Sequence, residues 1–207
     1  MDVYGRLAAR LLRAITCITV LLVASHASHA QRFYVKVGGK VTDHFTGDPV
    51  KGTLVRLLKA GITEAEVTTR SDGSYSFTLD RGWRYVVFYS KPGFVGKHIN
   101  IDTEEIPAYP DVPFYEMDVQ MTLFPWIEDF DFSVFDQPLG EAAFKSSVRN
   151  MSWDIDYTER MRPMLSRTMD EYEKTWKGYY KRKKDRAADT LKTRPQRVVL
   201  STDPPKP

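Results

Sequence analysis

From residue 33 to residue 123 the apolar positions come in short alternating runs, each closed by turn residues. A first run covers 33–41, and Thr46-Gly47-Asp48-Pro49 turns the chain after it. The run 53–59 is rich in Leu and Val, Ala60-Gly61 breaks it, and a weaker run covers 62–69. Ser71-Asp72-Gly73 reads as a sharp turn, because Asp bonds the nearby backbone and Gly accepts positive φ. Residues 74–79 then alternate strictly, with Tyr75, Phe77 and Leu79 on one face. Residues 84–90 are β-branched and aromatic, and Lys91-Pro92-Gly93 turns again. In 96–102, His98 and Asn100 share one face and Ile99 and Ile101 the other. The run 114–123 closes the set with Phe114, Met117, Val119 and Met121. Seven short strands at this spacing predict an antiparallel β-sandwich over 31–123.

After Leu123 the pattern changes. Residues 124–138 interleave Pro125, Trp126, Phe130, Phe132 and Phe135 with Glu128, Asp129, Asp131 and Asp136, with no clean period. This stretch reads either as an arm laying its aromatics on the sandwich or as an acidic–aromatic docking segment for another protein. A helical extension is expected over 139–189. Phe144, Val148 and Met151 stand at 3–4 spacing and predict a short helix over 139–151. A second helix over 159–187 is capped by Thr158 and carries Met161, Leu165, Met169, Tyr172, Trp176 and Tyr179 as one stripe. Its last turns hold Lys181, Arg182, Lys183 and Lys184, where cations suit the helix dipole. Residues 190–207 contain four prolines and little apolar content, the composition of a disordered tail.

The first thirty residues change the picture of location. Arg6, Arg10 and Arg13 precede an apolar run from 14 to 24, and Ser28-His29-Ala30 places small residues at a cleavage site. That run is far shorter than the ~20 residues a spanning helix needs, so 1–30 reads as a secretory signal peptide. Cleavage would leave Gln31 first and would remove Cys17, the only cysteine, with His26 and His29. The expectation is an exported protein, periplasmic or at the cell surface, held by its core without disulfides. The net charge of +3 is unevenly spread. Residues 31–100 hold 11 basic and 6 acidic side chains, 101–158 hold 2 and 13, and 159–207 hold 14 and 7. An acidic block followed by a basic one attracts itself or two different partners.

Four ordered blocks carry a family likeness: Gly39-Lys40-Val41-Thr42-Asp43, Thr46-Gly47-Asp48-Pro49-Val50, Ser71-Asp72-Gly73-Ser74-Tyr75-Ser76-Phe77 and Tyr89-Ser90-Lys91-Pro92-Gly93-Phe94. They resemble the carboxypeptidase regulatory-like domain, a prealbumin-like (transthyretin-like) sandwich common in exported Bacteroidetes proteins. The resemblance implies a mainly β fold: a seven-stranded antiparallel prealbumin-like sandwich, here with a C-terminal α-helical extension. It says little of function, because the family is an accessory module of many proteins.

The chemistry read from the residues is sparse. Once the leader is removed, His44 and His98 remain, 54 positions apart and in no metal motif. Zinc ligands of the peptidase whose accessory domain this resembles are absent. No nucleophile elbow, P-loop or dinucleotide fingerprint occurs. Glu128, Asp129 and Asp131 lack the turn glycine of a calcium loop. No enzyme, cofactor or metal is therefore expected, and an export signal argues against nucleic acid as the target of the basic run. The expected partner-binding residues are Trp126, Phe130, Phe132, Trp176, Lys181, Arg182, Lys183 and Lys184. The first reading is a module for protein–protein interaction or structural support in the cell envelope, with an envelope protein as partner. An anionic lipid or glycan surface is the other target in view for the basic end. A carbohydrate- or peptidoglycan-associated binding protein is the second reading, with Trp126, Trp153 and Trp176 stacking on sugars, and a hydrolase the third.

Overall fold

The structure, a computed structural model, describes residues 33–192, with side-chain surroundings through Asp185. The expected leader over 1–30 and the proline-rich residues from 193 onward lie outside the described residues.

The alternation folds as expected into a sandwich. Its strands are β1 (Tyr34–Asp43), β2 (Leu54–Lys59), β3 (Ile62–Thr68), β4 (Ser74–Leu79), β5 (Arg84–Ser90), β6 (Lys97–Asp102), β7 (Phe114–Asp118) and β8 (Met121–Leu123). Two further strands follow, β9 (Glu141–Lys145) and β10 (Asn150–Trp153). One sheet has four strands, with β1 between β4 and β7 and with β8 also on β1. The other has six, in the order β10-β9-β6-β5-β2-β3. Val35, Val37, Val41, Tyr75, Phe77 and Leu79 point inward from the first sheet and Val55, Leu57, Tyr85, Val87, Tyr89, Ile99 and Ile101 from the second, all buried. Each set follows the period of two that a pleated strand imposes.

The pairing is not wholly antiparallel. β7 and β8 both run parallel to β1, at Tyr34–Gly38 and then at Val41–Asp43, and β6 pairs β9 in parallel. Between β7 and β8 the chain steps over Gly39, where the Val119 N–H donates to the Gly38 carbonyl at 2.8 Å. A Cβ on Gly39 would lie 2.0 Å from the Val119 carbonyl oxygen, so this crossing needs a residue without one.

The expected helix over 139–151 is instead the β9–β10 hairpin. Phe144 and Met151 are direct cross-strand partners, and Val148 sits exposed in the turn between them. Their spacing fits a hairpin as well as a helix. The deciding factor is the open edge of β6, whose backbone groups need partners. The Leu139 N–H bonds the His98 carbonyl, and the Asn100 N–H the Gly140 carbonyl, at 2.8 and 3.0 Å. The sandwich thus extends past residue 123, and the helical part of the 139–189 extension starts only after the hairpin.

A single helix, α1 (Ile155–Lys192), follows. Its cap is Asp154 rather than Thr158: the Tyr157 N–H donates to Asp154 Oδ1 at 3.0 Å, while the Thr158 hydroxyl bonds the Asp154 carbonyl. At 38 residues α1 is about 57 Å long. Met161 and Tyr172 of the expected stripe are buried, and Leu165, Met169, Trp176 and Tyr179 are half-buried. No helix among the described residues is long and apolar enough to cross a membrane.

Candidate functional site

The arm over 124–138 folds onto the sandwich. Phe124, Ile127 and Phe135 are buried with Val95 and Tyr172 in one cluster, against which Phe130, Phe132, Leu165, Met169 and Trp176 pack. The Val95 N–H bonds the Phe124 carbonyl at 3.0 Å and the Trp126 N–H the Gly93 carbonyl at 2.8 Å, so the arm starts as a backbone partner of the β5–β6 loop. Tyr172 is the keystone. Its ring centroid is 4.6 Å from that of Phe124, and its hydroxyl donates to the Pro125 carbonyl at 2.6 Å. Phe45 stacks on Trp176 at 5.4 Å, and His44 Nε2 lies 3.3 Å from Glu173 Oε1. These contacts clamp α1 to the end of β1. Phe130 and Trp176, expected at a partner surface, are thereby spent mainly inside the molecule.

A buried lysine sits in the same cluster. Lys97 shares the inward parity of Ile99, and its Nζ donates to the Thr122 carbonyl at 2.7 Å. The ammonium stands 4.3 Å from the Phe124 ring centre and 5.2 Å from that of Phe135. Burial pushes its pKa down to about 7, while the ring faces and the carbonyl favour the charged form.

Beyond Trp176 the helix leaves the cluster. Tyr179 and Tyr180 continue an aromatic ladder on Trp176, at 6.1 and 5.7 Å. Lys181, Arg182, Lys183 and Lys184 are all exposed, and Tyr180 is 58% exposed beside them. The expected basic end is thus a solvated helical projection.

Trp126 lies apart from the helix, and Phe132 packs against the cluster while also facing a groove beside Trp126. With Phe88, Phe94, Val95, Gly96, His98, Phe135 and Asp136 they line this groove of about 340 Å³. Phe88 and His98 are cross-strand partners on the outward positions of β5 and β6, stacked at 5.9 Å. Gly96 leaves room beside the Phe88 ring, and Trp126 is 54% exposed. Asp136 ends the 3-10 turn Ser133–Asp136. Burial lowers the His98 pKa and nearby Asp136 partly opposes this, so the imidazole is neutral at neutral pH. His98 Nδ1 is buried without a hydrogen-bond partner among the described residues. The groove's lining contains no hydroxyl, thiol or amine; its polar side chains are the His98 imidazole, the Asp136 carboxylate and the Trp126 indole.

Two other hollows have their polar groups engaged. One, of about 410 Å³, joins Arg84, Asp102 and Glu141. There Arg84 pairs with Asp102 and Glu104, and Asn100 donates to Glu141. The other, of about 610 Å³, lies beside Trp153, Ile155 and the first turns of α1. Its Arg162 pairs with Glu159 and its Gln120 with Asp118. Trp153 packs over Gly140, so Trp126, Trp153 and Trp176 occupy three different surroundings and form no common platform. Among the described residues no three His, Cys, Asp or Glu side chains are grouped as metal ligands.

The strands and turns from β1 through β6 are where the four sequence blocks fall, each at a strand end or its turn. Residues 36–110 match the Carboxypeptidase regulatory-like domain. The matched residues run from within β1 through β6, while β7, β8, the arm, the β9–β10 hairpin and α1 lie outside them. Domains of this type are generally non-catalytic. No curated protein matches the chain. Among solved structures it is similar to the 5-hydroxyisourate hydrolase of Klebsiella pneumoniae, at 18% identity and TM-score 0.31 over 45% of this chain and 89% of that one. A group B streptococcus pilus 2b backbone protein is 13% identical, with TM-score 0.32, over 44% of this chain and 40% of its own. A DUF3823 family protein from Parabacteroides merdae is 15% identical, with TM-score 0.33, over 47% and 49%. This chain thus spans less than half of the last two.

Proposed function

We propose that this protein is an exported, non-catalytic interaction module of the cell envelope, periplasmic or at the cell surface. In this reading the regulatory-like sandwich is a rigid base and α1 a strut that holds a basic end out to an anionic partner. One observation carries it: α1 is clamped through Tyr172 and Trp176, yet the four consecutive cations after Tyr180 have no cover from the body. A solvated charge run at a helix end is ordinary by itself. A run held rigidly away from the core by an aromatic clamp is a docking element, because little order is lost on binding.

Two measurements test the reading. Envelope-derived protein is expected to begin at Gln31, or at Ser28 if the earlier small-residue site is cut; material that retains Met1 overturns export. Lys183→Glu with Lys184→Glu is expected to weaken crosslinking to native envelope partners about tenfold and to flatten its salt dependence, since exposed charges are screened over about 8 Å at physiological salt. Crosslinking that ignores both the reversal and the salt would put the partner surface on the sandwich.

A further inference from the structure

The groove beside Trp126 combines three features that point to one ligand chemistry. Its walls are aromatic faces, those of Phe88, Phe94 and Trp126. Ring faces attract cations, more strongly as water is excluded. Asp136 is the only formal charge in its lining, because His98 is kept neutral by burial. Glu128, Asp129 and Asp131 are exposed on the arm that carries Trp126 and Asp136, which gives that arm a negative charge. Lys91 already demonstrates the preference at the rim: its Nζ stands 5.5 Å over the Phe94 ring, while it donates to the Lys51 carbonyl. A groove of about 340 Å³ accepts a side chain or two rather than a folded surface.

The complementary object is on the same chain. The end of α1 presents Lys181, Arg182, Lys183 and Lys184 with the exposed ring of Tyr180. It cannot turn back to its own groove. Phe132 and Phe135 of the groove belong to the cluster around Tyr172, and the helix runs on from there. Lys183 is 11 residues further, about 16 Å along a continuous helix.

We propose that the groove formed by Phe88, Phe94, Trp126 and Asp136 receives the basic, tyrosine-bearing end of α1 from a second copy of this chain. The contact joins two different patches, so a pair of copies keeps one free groove on one member and one free helix end on the other. Association is then head-to-tail and proceeds to open chains or rings instead of stopping at a symmetric dimer. The inference rests on the proposed docking role of the basic end and names its partner.

Sedimentation velocity of purified protein tests it, with two sets of exposed substitutions. One set is Trp126→Ala with Asp136→Asn; the other is Lys183→Glu with Lys184→Glu. The unsubstituted protein is expected to form a concentration-dependent series of oligomers that high salt dissolves. Each variant alone is expected to associate at least about tenfold more weakly, with circular dichroism unchanged. An equal mixture of the two is expected to form a one-to-one dimer, since the mixture contains one intact groove and one intact helix end. A mixture that stays monomeric, or a groove variant that still polymerises, overturns the proposal. So does a monomeric protein whose Trp126 fluorescence responds to soluble peptidoglycan fragments, which would make the groove a sugar site. Loss of association with the groove variant but not with the helix variant also overturns it. Retention of envelope crosslinking through residues 181–184 in the groove variant would leave the docking role standing while removing the second copy as its partner.

Discussion

Gly39→Ala is expected to abolish the fold. An added Cβ at that position lies 2.0 Å from the Val119 carbonyl oxygen, 2.6 Å from its carbon and 3.0 Å from its nitrogen. All three atoms are backbone, so no rotamer change relieves the overlap. Val119 cannot retreat either. Its N–H bonds the Gly38 carbonyl, its carbonyl accepts from the Tyr75 hydroxyl at 3.2 Å, and its side chain is buried. Relief requires parting β1 from β7, β8 or both. That costs well over the ~1–3 kcal/mol of ordinary overpacking, and a domain stable by ~5–15 kcal/mol loses much or all of its margin. Gly38→Ala is the control, since its Cβ would stand 3.2 Å from the Tyr75 carbonyl oxygen, a contact small shifts relieve. Urea titration by circular dichroism reads both. A Gly39→Ala midpoint within error of the unsubstituted protein would mean that the β7–β8 step is wrongly placed.

The same position illustrates what a single sequence discloses. Alternation at Tyr75, Phe77 and Leu79 announced an inward face because period two is a local property of a strand. The stripe from Met161 to Trp176 announced a docked helix face for the same kind of reason. Parallel pairing of β1 with β7 and β8 had no local mark beyond two adjacent glycines, because it joins segments about eighty residues apart. Phe144, Val148 and Met151 satisfy a helical period as well as a hairpin, and only the free edge of β6 decides for β9 and β10. Of the groove, Trp126 and Phe132 stood out as aromatics among carboxylates. Phe88, Phe94 and His98 come together only once β5 and β6 pair as a hairpin, and Asp136 joins them from a 3-10 turn nearly forty residues on. Lys97 shares parity with Ile99 and Ile101, so strand alternation alone turns it inward in spite of its charge.

That lysine sets the second large effect, an increase of stability with alkaline pH. Its folded pKa is pushed down to about 7 from an ordinary 10.5 by burial, its ammonium held by the Thr122 carbonyl and the rings of Phe124 and Phe135. Below pH 7 both folded and unfolded chains hold the proton, and the fold bears the full cost of a buried ammonium. Between pH 7 and 10.5 the unfolded chain binds more protons than the folded one, so the free energy of unfolding rises with pH. The limit is about 1.4 kcal/mol per pH unit, and the two ring faces, by favouring the charged form, reduce the realised slope. Buried tyrosines bound the window from above. Burial pushes Tyr75 up to about 12 and raises Tyr89 and Tyr172, whereas in the unfolded chain tyrosines ionise near their ordinary 10.0. Above that pH the unfolded state releases protons that the folded state retains, and stability falls. His98, lowered by burial, acts only at or below its ordinary 6.5 and leaves this window untouched. The urea midpoint is therefore expected to climb from pH 7 to about pH 10 by an equivalent of ~1–4 kcal/mol and then to decline. Lys97→Met retains the apolar stem without the ammonium. It is expected to be at least as stable as the unsubstituted protein at pH 7 and to lose most of the climb. A flat or falling midpoint between pH 7 and pH 9.5 in the unsubstituted protein, or an equal climb in Lys97→Met, would mean that Lys97 stays charged in the folded core. The carbonyl of Thr122 and the two rings would then offset its burial completely.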